Sequence, residues 1–201
     1  VAMIPRREDS WMFHRPNIQL IDLFAKCAGL PLIKAETSGE KEKELEDLKL
    51  VLQKLDIKGV VSGAIASKYQ RSRIDRICDE LGLASITPLW GREPVELLRE
   101  MIDSSFEIII TSASAQGFDE SWLGRKLDEE TLRDLVELNR RYKVSVSGEG
   151  GEYESLVLDA PFFRKRIEIP EAERIWRGDS GYLLIRKAVL KDKSGLSKSR
   201  G

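Results

Sequence analysis

Cysteine and histidine are scarce in this sequence. Its 201 residues hold two cysteines, Cys27 and Cys78, and one histidine, His14. There is no Cys-x-x-Cys pair, so a disulfide framework and a cysteine-based zinc site both lack their starting material. Each cysteine sits beside apolar residues in a helical pattern and reads as a buried, reduced thiol. His14, alone in Asp-Ser-Trp-Met-Phe-His-Arg-Pro-Asn, reads as a loop or core residue. Neither Gly-x-Ser-x-Gly nor His-Glu-x-x-His occurs, so serine hydrolase and zinc protease chemistry have no support. No apolar run approaches the roughly 20 residues of a membrane span. The opening Val-Ala-Met-Ile-Pro-Arg-Arg-Glu-Asp places charges where a signal peptide keeps an apolar stretch, so the cytoplasm is the expected compartment. An excess of one charge is also missing. Lys+Arg number 33 against 34 Asp+Glu, whereas a general nucleic-acid binder carries a clear basic surplus.

What is present is alternation. Val1 to Ile4 reads as the end of a strand. Asn17–Gly29 spaces Ile18, Leu20, Ile21, Phe24, Ala25 and Ala28 as one helical face, with Gly29 as its stop. Leu30–Ala35 reads as a strand, and Ser38–Asp56 as a helix with Leu45, Leu48, Val51, Leu52 and Leu55 inward. Ile57–Ile65 is an apolar run of the kind found in a sheet covered on both faces. Tyr69–Gly82 follows as a helix and Leu83–Leu89 as a strand. Such regular alternation predicts parallel βαβ units in an open, mostly parallel α/β sheet. Beyond a boundary near Pro88–Arg92 the pattern changes. A helix at Pro94–Ser104, a strand at Phe106–Thr111 and a helix at Asp128–Tyr142 precede four strand-like runs: VSVSG from Val144, ESLVLDAPFF, KRIEIPE and GYLLIRKAVL. The expected organisation is an α/β domain over residues 1–90 and a smaller α+β domain over residues 91–201, with a polar tail that frays.

Three segments carry residues suited to chemistry. Ligands of open parallel sheets bind beyond the carboxyl ends of the strands. That rule nominates Gly63, Ala64, Ser67, Gln70 and Arg71, where small residues meet the positive start of a helix. Gly148-Glu149-Gly150-Gly151-Glu152-Tyr153-Glu154 packs three glycines and three carboxylates into one turn. Glycine crowding implies positive φ or close backbone approach. If a strand starts at Tyr153, Glu154 alternates with Leu156 and Leu158 and falls on an apolar face, where a lone carboxylate is costly. The third segment, Ser112–Asp128, is a long connection holding Trp122 and Arg125.

The stretches DSWMFHRPN, SGEKEKELEDL, GVVSGAIASKYQRSRI, PLWGRE, DESWLGRKLD and GEGGEYESLVLDAPFF occur in order from Asp9 to Phe163. Together they resemble the diphthine–ammonia ligase family, archaeal members most. The resemblance implies a nucleotide-binding domain of the adenine-nucleotide alpha-hydrolase type followed by a smaller α+β domain. It implies ATP and Mg²⁺ as cofactors and amidation of diphthine, a modified histidine on translation elongation factor 2, by carboxylate adenylation and attack of ammonia. Elongation factor 2 carrying diphthine and ammonium are the expected partners, and a homodimer is admitted. Neither a membrane nor direct nucleic-acid contact is expected. One feature departs from the family pattern. Members open with a strand and a Ser-Gly-Gly-Lys-Asp-Ser phosphate loop, and this sequence contains no such run. Val1–Ile4 then matches the end of the family's second strand, and the nucleotide domain is expected to be incomplete at its N-terminal side.

Carried onto this sequence, the resemblance places nucleotide near Gly63, Ala64, Ser67, Gln70 and Arg71, with the backbone of Ala2 and Met3 at the adenine. Diphthine carries a trimethylammonium group, which favours aromatic faces and carboxylates. Trp90, Trp122 and Tyr153 are the candidate aromatics, with Arg125, Gly148, Gly150 and Gly151 around them. Glu149, Glu152 and Glu154 are the candidate catalytic anions, one of them to hold ammonium or take its proton. Glutamine at Glu152 or Glu154 is expected to abolish amidation without unfolding the chain. Two other readings compete: a non-catalytic nucleotide-binding module that docks a protein partner, and a tRNA-modifying ligase of similar fold.

Overall fold

A computed structural model describes residues 1–5, 17, 20–38 and 43–193. His14 and most of DSWMFHRPN, residues 39–42 where the second helix is expected to begin, and the tail from 194 lie outside the described residues. The chain forms two compact units, one of residues 1–18 and 33–96, the other of residues 19–32 and 97–201.

The first unit is α/β. Strand β1 (Ala2–Pro5) pairs in parallel with β2 (Lys34–Thr37), and β3 (Gly59–Val61) pairs in parallel with β4 (Ala84–Ile86). Helix α3 (Lys68–Leu81) is the crossover that the parallel β3–β4 pair demands, and α2 (Lys43–Leu52) joins β2 to β3. Met3, Leu45, Leu48, Leu52 and Ile77 form one buried cluster, with Ala35, Val60 and Ile74 against it. Lys49 of α2 meets Glu80 of α3 at 2.7 Å on its rim.

These strands are shorter than the sequence suggests. Leu30–Ile33 is outside β2, and Leu30 is 61% exposed. The run from Ile57 to Ile65 gives only three strand residues, ending at Val61, itself 67% exposed. β-Branched residues make a segment compatible with a strand, but the ladder extends only where a partner runs beside it. The described strands form two two-stranded parallel sheets rather than one continuous sheet.

The second unit mixes three helices with an antiparallel sheet of order β6-β5-β8-β7. These strands are β5 (Glu107–Ala113), β6 (Tyr153–Asp159), β7 (Lys165–Arg177) and β8 (Ser180–Asp192). Helix α1 (Ile21–Ala28) belongs here: Cys27 packs with Ala160, Phe163 and Ile167, and Phe24 meets Phe163 edge-on. Gly29 ends α1 at φ 66°, in the left-handed region that glycine tolerates. Helix α4 (Pro94–Asp103) leads to β5, and α5 (Glu129–Tyr142) leads towards β6. The Asp128 side chain caps α5 by accepting from Thr131 N at 2.9 Å, which lowers the Asp128 carboxyl below its ordinary range.

β5 pairs with β8 only at Ser112 and Ala113. Below that point the Gly124–Leu127 backbone runs beside β5, with Ile110 N donating to Arg125 O and Leu127 N to Ile108 O. β7 extends well past the KRIEIPE run, and its register breaks around Pro170, which has no N–H for the ladder.

VSVSG is not a strand. Val144 and Val146 are buried in alternation, as in a strand, yet Ser145 N donates to the Glu152 side chain rather than to a neighbouring strand. No described helix is long and apolar enough to cross a membrane.

Cys27 and Cys78 are fully buried and unpaired, and burial is the main influence raising both thiols above their ordinary value. A thiolate-directed reagent is therefore expected to find neither in the native protein and both in guanidinium. Colorimetric thiol titration checks this; a fast native reaction would contradict the buried packing of α1 and α3.

Candidate active site

The acidic glycine turn begins where α5 stops. Lys143 takes a left-handed conformation at φ 62°, and Asn139 Nδ2 donates to Val144 O at 2.8 Å, turning the chain back on itself. Val144 and Val146 then bury, while Ser145 stays half-exposed between them. The phenol of Tyr153, at the start of β6, reaches back under the turn and donates to Val146 O at 2.7 Å. Burial holds that phenol well above its ordinary pKa.

Glu152 closes the turn. One carboxylate oxygen accepts from Ser145 N and the other from Gly150 N, each at 2.9 Å. Its carbonyl accepts from Ser114 N at 2.9 Å, which ties the turn to the end of β5. Ser114 Oγ donates to Gly151 O at 3.2 Å, and Gly151 N donates to Gly148 O at 2.9 Å.

Two of the glycines are required by this geometry. A Cβ on Gly150 would lie 2.7 Å from the Glu152 carboxylate. Gly148 sits at φ 70°, and a Cβ there would lie 2.8 Å from Tyr153 O. The turn is thus a backbone cage around one carboxylate. Glu149 and Glu154 are half-buried at its edges.

Glu154 shares its side of β6 with Leu156, which packs against the cluster of Leu20, Leu183 and Ile185. A cavity of about 810 Å³ opens on the same side, with Ile109, Leu158 and Ile167 in its wall and Glu120, Arg166 and Arg174 among its polar groups. None of these polar residues stood out in the sequence.

Trp122 lies in a short 3-10 turn, Glu120–Trp122, and is 6% exposed, edge-on to Phe118 at 4.8 Å. Arg125 stacks on Trp122 at 4.8 Å and is bound by Asp134 at 2.5 Å. Trp122 and Tyr153 both pack on Phe118. The expected aromatics of the second unit therefore do come together, but as core beneath the turn. Trp90 belongs to the first unit, where the Arg71 guanidinium covers its ring at 4.4 Å.

The other candidate segment gathers at the start of α3. Ser67 caps the helix, its hydroxyl accepting from Gln70 N at 3.3 Å. The first turn of α3 holds no acidic residue. A Cβ added to Gly63 would meet nothing within 4 Å, so open space adjoins the backbone there. Ala64 is buried, and Ile65 O accepts from Gly91 N at 2.9 Å, which ties this loop to the PLWGRE turn. Met3 is a core residue; only its backbone and that of Ala2 remain for a ligand, and one edge of both is in the β1–β2 ladder.

Sequence reasoning missed Ser145, Ser114 and Asn139. Each is common in turns, and their residue types alone do not mark these three as partners of a carboxylate or carbonyl, which lie five, seven and 37 residues away.

Comparison with known proteins gives a consistent match across both units. Residues 1–85 match the diphthamide synthase N-terminal domain and residues 93–191 the diphthamide synthase C-terminal domain. The diphthine–ammonia ligase of Rattus norvegicus is 40% identical over 183 residues, covering 83% of this chain and 68% of the relative. The Homo sapiens protein of that name is 38% identical over 181 residues, covering 82% and 67%. That of Schizosaccharomyces pombe is 35% identical over 204 residues, covering 92% of this chain and 33% of the relative. The chain thus spans about two thirds of the mammalian relatives and one third of the yeast one.

The clamp changes one expectation. Glutamine at Glu152 would turn an N–H towards either Ser145 N or Gly150 N and leave that donor unmatched. Glu152→Gln is expected to lower unfolding free energy by about 1–3 kcal/mol, and Gly150→Ala to lower it as well, both read by urea denaturation. Wild-type stability in both would mean the carboxylate does not hold the turn.

Proposed function

Because the chain belongs to the diphthamide synthase family, we propose that it catalyses ATP-dependent amidation of diphthine on translation elongation factor 2, in the cytoplasm. The observation that carries this reading is the pair of domain matches, over residues 1–85 and 93–191, together with relatives named diphthine–ammonia ligase that align over most of the chain. In the proposed reaction the diphthine carboxylate takes the adenylyl group of ATP and releases pyrophosphate. Ammonia then attacks the acyl carbon, and AMP leaves with the bond electrons.

The first unit is read as the nucleotide-binding half, of the adenine-nucleotide alpha-hydrolase type. What supports this is the fit of its α3 entrance to an anion. The helix start is free of carboxylates in its first turn, is capped by Ser67, and adjoins open space at Gly63. Backbone N–H groups at such a position favour phosphate. Gln70 and Arg71 stand in the first turn, and Arg71 is held in place by Trp90 and by Asp75 at 3.4 Å. Among the described residues no group of three or more His, Cys, Asp or Glu could hold a metal ion. Mg²⁺ therefore fits this site as an ion carried by the nucleotide phosphates and water, which is its common habit. When bound, it neutralises phosphate charge as adenylyl transfer proceeds.

In the second unit the roles of the three carboxylates divide. Glu152 positions the turn. Glu149 and Glu154 bind ammonium or the substrate cation and take the proton that ammonia sheds. Trp122 and Tyr153 act as support beneath the turn rather than as open faces.

The test is mass spectrometry of diphthine-bearing elongation factor 2 incubated with the protein, ATP and ammonium. Amide formation with AMP and pyrophosphate in equal amount is expected; ADP as the product would overturn the adenylation step. Glu154→Gln is expected to slow amidation by about 100-fold with an unchanged melting temperature, and unchanged turnover would remove Glu154 from the mechanism. Ser67→Ala is expected to cost about 1 kcal/mol of stability and to weaken ATP binding in a calorimetric titration.

A further inference from the structure

One opening in the second unit comes from breaks in its sheet and holds none of the residues assigned above. β5 pairs with β8 only at Ser112 and Ala113, and the β7–β8 ladder shifts between Glu168 and Glu171. The cavity of about 810 Å³ adjoins both breaks: Ile109 of β5 and Ile169 and Pro170 of β7 line it. That volume falls in the roughly 300–1,000 Å³ range of small-molecule sites, which join an apolar lining to a few placed polar groups. Leu123, Ile167 and Leu183 give the lining, each 6% exposed or less.

The four charged residues of the wall divide by pairing. Arg166 is bound by Glu107 at 2.6 Å, and Glu168 by Lys191 at 2.8 Å. Arg174 stands opposite Leu183 in the ladder, so its stem shares a face with that core residue. Its Nε donates to Leu123 O at 2.7 Å, which fixes the planar guanidinium and leaves the Nη fork to a ligand. Leu123 N donates to Glu120 O at 3.1 Å, so one turn of chain holds both groups. Among the described residues the exposed Glu120 carboxylate has no partner, and Arg174 has only the one its Nε makes. These opposite charges do not bridge each other, so the cavity presents one cation and one anion, each available separately.

We propose that this cavity binds a zwitterion with an apolar body. The Arg174 fork takes its carboxylate, Glu120 takes its cationic group, and Leu123 and Leu183 receive its body. A guanidinium fork matches a carboxylate with two parallel hydrogen bonds. A ligand of single charge leaves one of the two side chains unanswered, and an uncharged one leaves both. Two sources share this chemistry. One is a free apolar amino acid. The other is the diphthine side chain, whose carboxylate and trimethylammonium form the same pair; that source rests on the function above.

The test is NMR titration of the full chain, read at the Gly124 amide and the Leu183 methyl groups, without ATP or elongation factor. Free leucine stands for the amino acid and glycine betaine for the diphthine head. At least one is expected to give saturable shifts at both positions, and the tighter binder names the source. Single-charge analogues of the binder are expected to bind about tenfold more weakly. These are isocaproate and isoamylamine for leucine, and acetate and tetramethylammonium for betaine. Glu120→Gln, an exposed change with an unchanged melting temperature, and Arg174→Gln are each expected to weaken binding about tenfold. Arg174→Gln also loses the bond to Leu123, so Glu120→Gln decides if that variant's melting temperature falls. Saturable shifts with neither probe, equal binding of a single-charge analogue, or wild-type affinity in Glu120→Gln would overturn the site. None of these readouts depends on amidation, so failure of the functional reading and failure of this site are separate results.

Discussion

The second unit is organised around one buried-edge interaction, the Glu152 carboxylate accepting from the backbone N–H groups of Ser145 and Gly150. Backbone donors inside a turn must be satisfied somewhere. Here no ladder reaches them, so a side chain does the work that a strand partner would otherwise do. Charge-assisted hydrogen bonds are stronger than neutral ones, and two of them on one carboxylate hold a seven-residue turn in a single shape. The glycines follow from this: one makes room for the carboxylate, and another takes the left-handed φ that keeps the turn clear of Tyr153.

That shape has consequences for the surrounding packing. Tyr153 must reach under the turn to Val146, so its ring joins Phe118 and Trp122 in the core. With Tyr153 turned inward, strand alternation turns Glu154 to the opposite face, the side of Leu156. A glutamate that holds the turn thus sets the direction of its neighbour's side chain. In the first unit a different economy applies. The loop after β3 is kept short and small, the α3 entrance is left without acids, and Arg71 is stacked on Trp90. Its charge is thereby fixed in place while it remains a cation.

Both regions illustrate how sequence motifs mix roles. The segment from Gly148 to Glu154 looks uniform as a string of acids and glycines. In space it separates into a clamp, two sterically required glycines, one core aromatic, and two half-buried carboxylates. Trp122 and Arg125 behave similarly. They sit close together, as their spacing suggests, but the tryptophan is core and the arginine is occupied by Asp134.

The amino-acid sequence alone determined the helices, because periodic apolar faces and stop residues such as Gly29 and Gly82 act locally. It also determined that the cysteines would be buried thiols. It left undecided the strand lengths, the placement of α1 with the second unit, and the non-strand character of VSVSG. It also could not separate Glu152 from Glu154. The reason is the same in each case. A strand, a ladder partner or a carboxylate's hydrogen-bond donors are settled by whichever segment lies alongside, often tens of residues away, and only the tertiary structure brings that segment there.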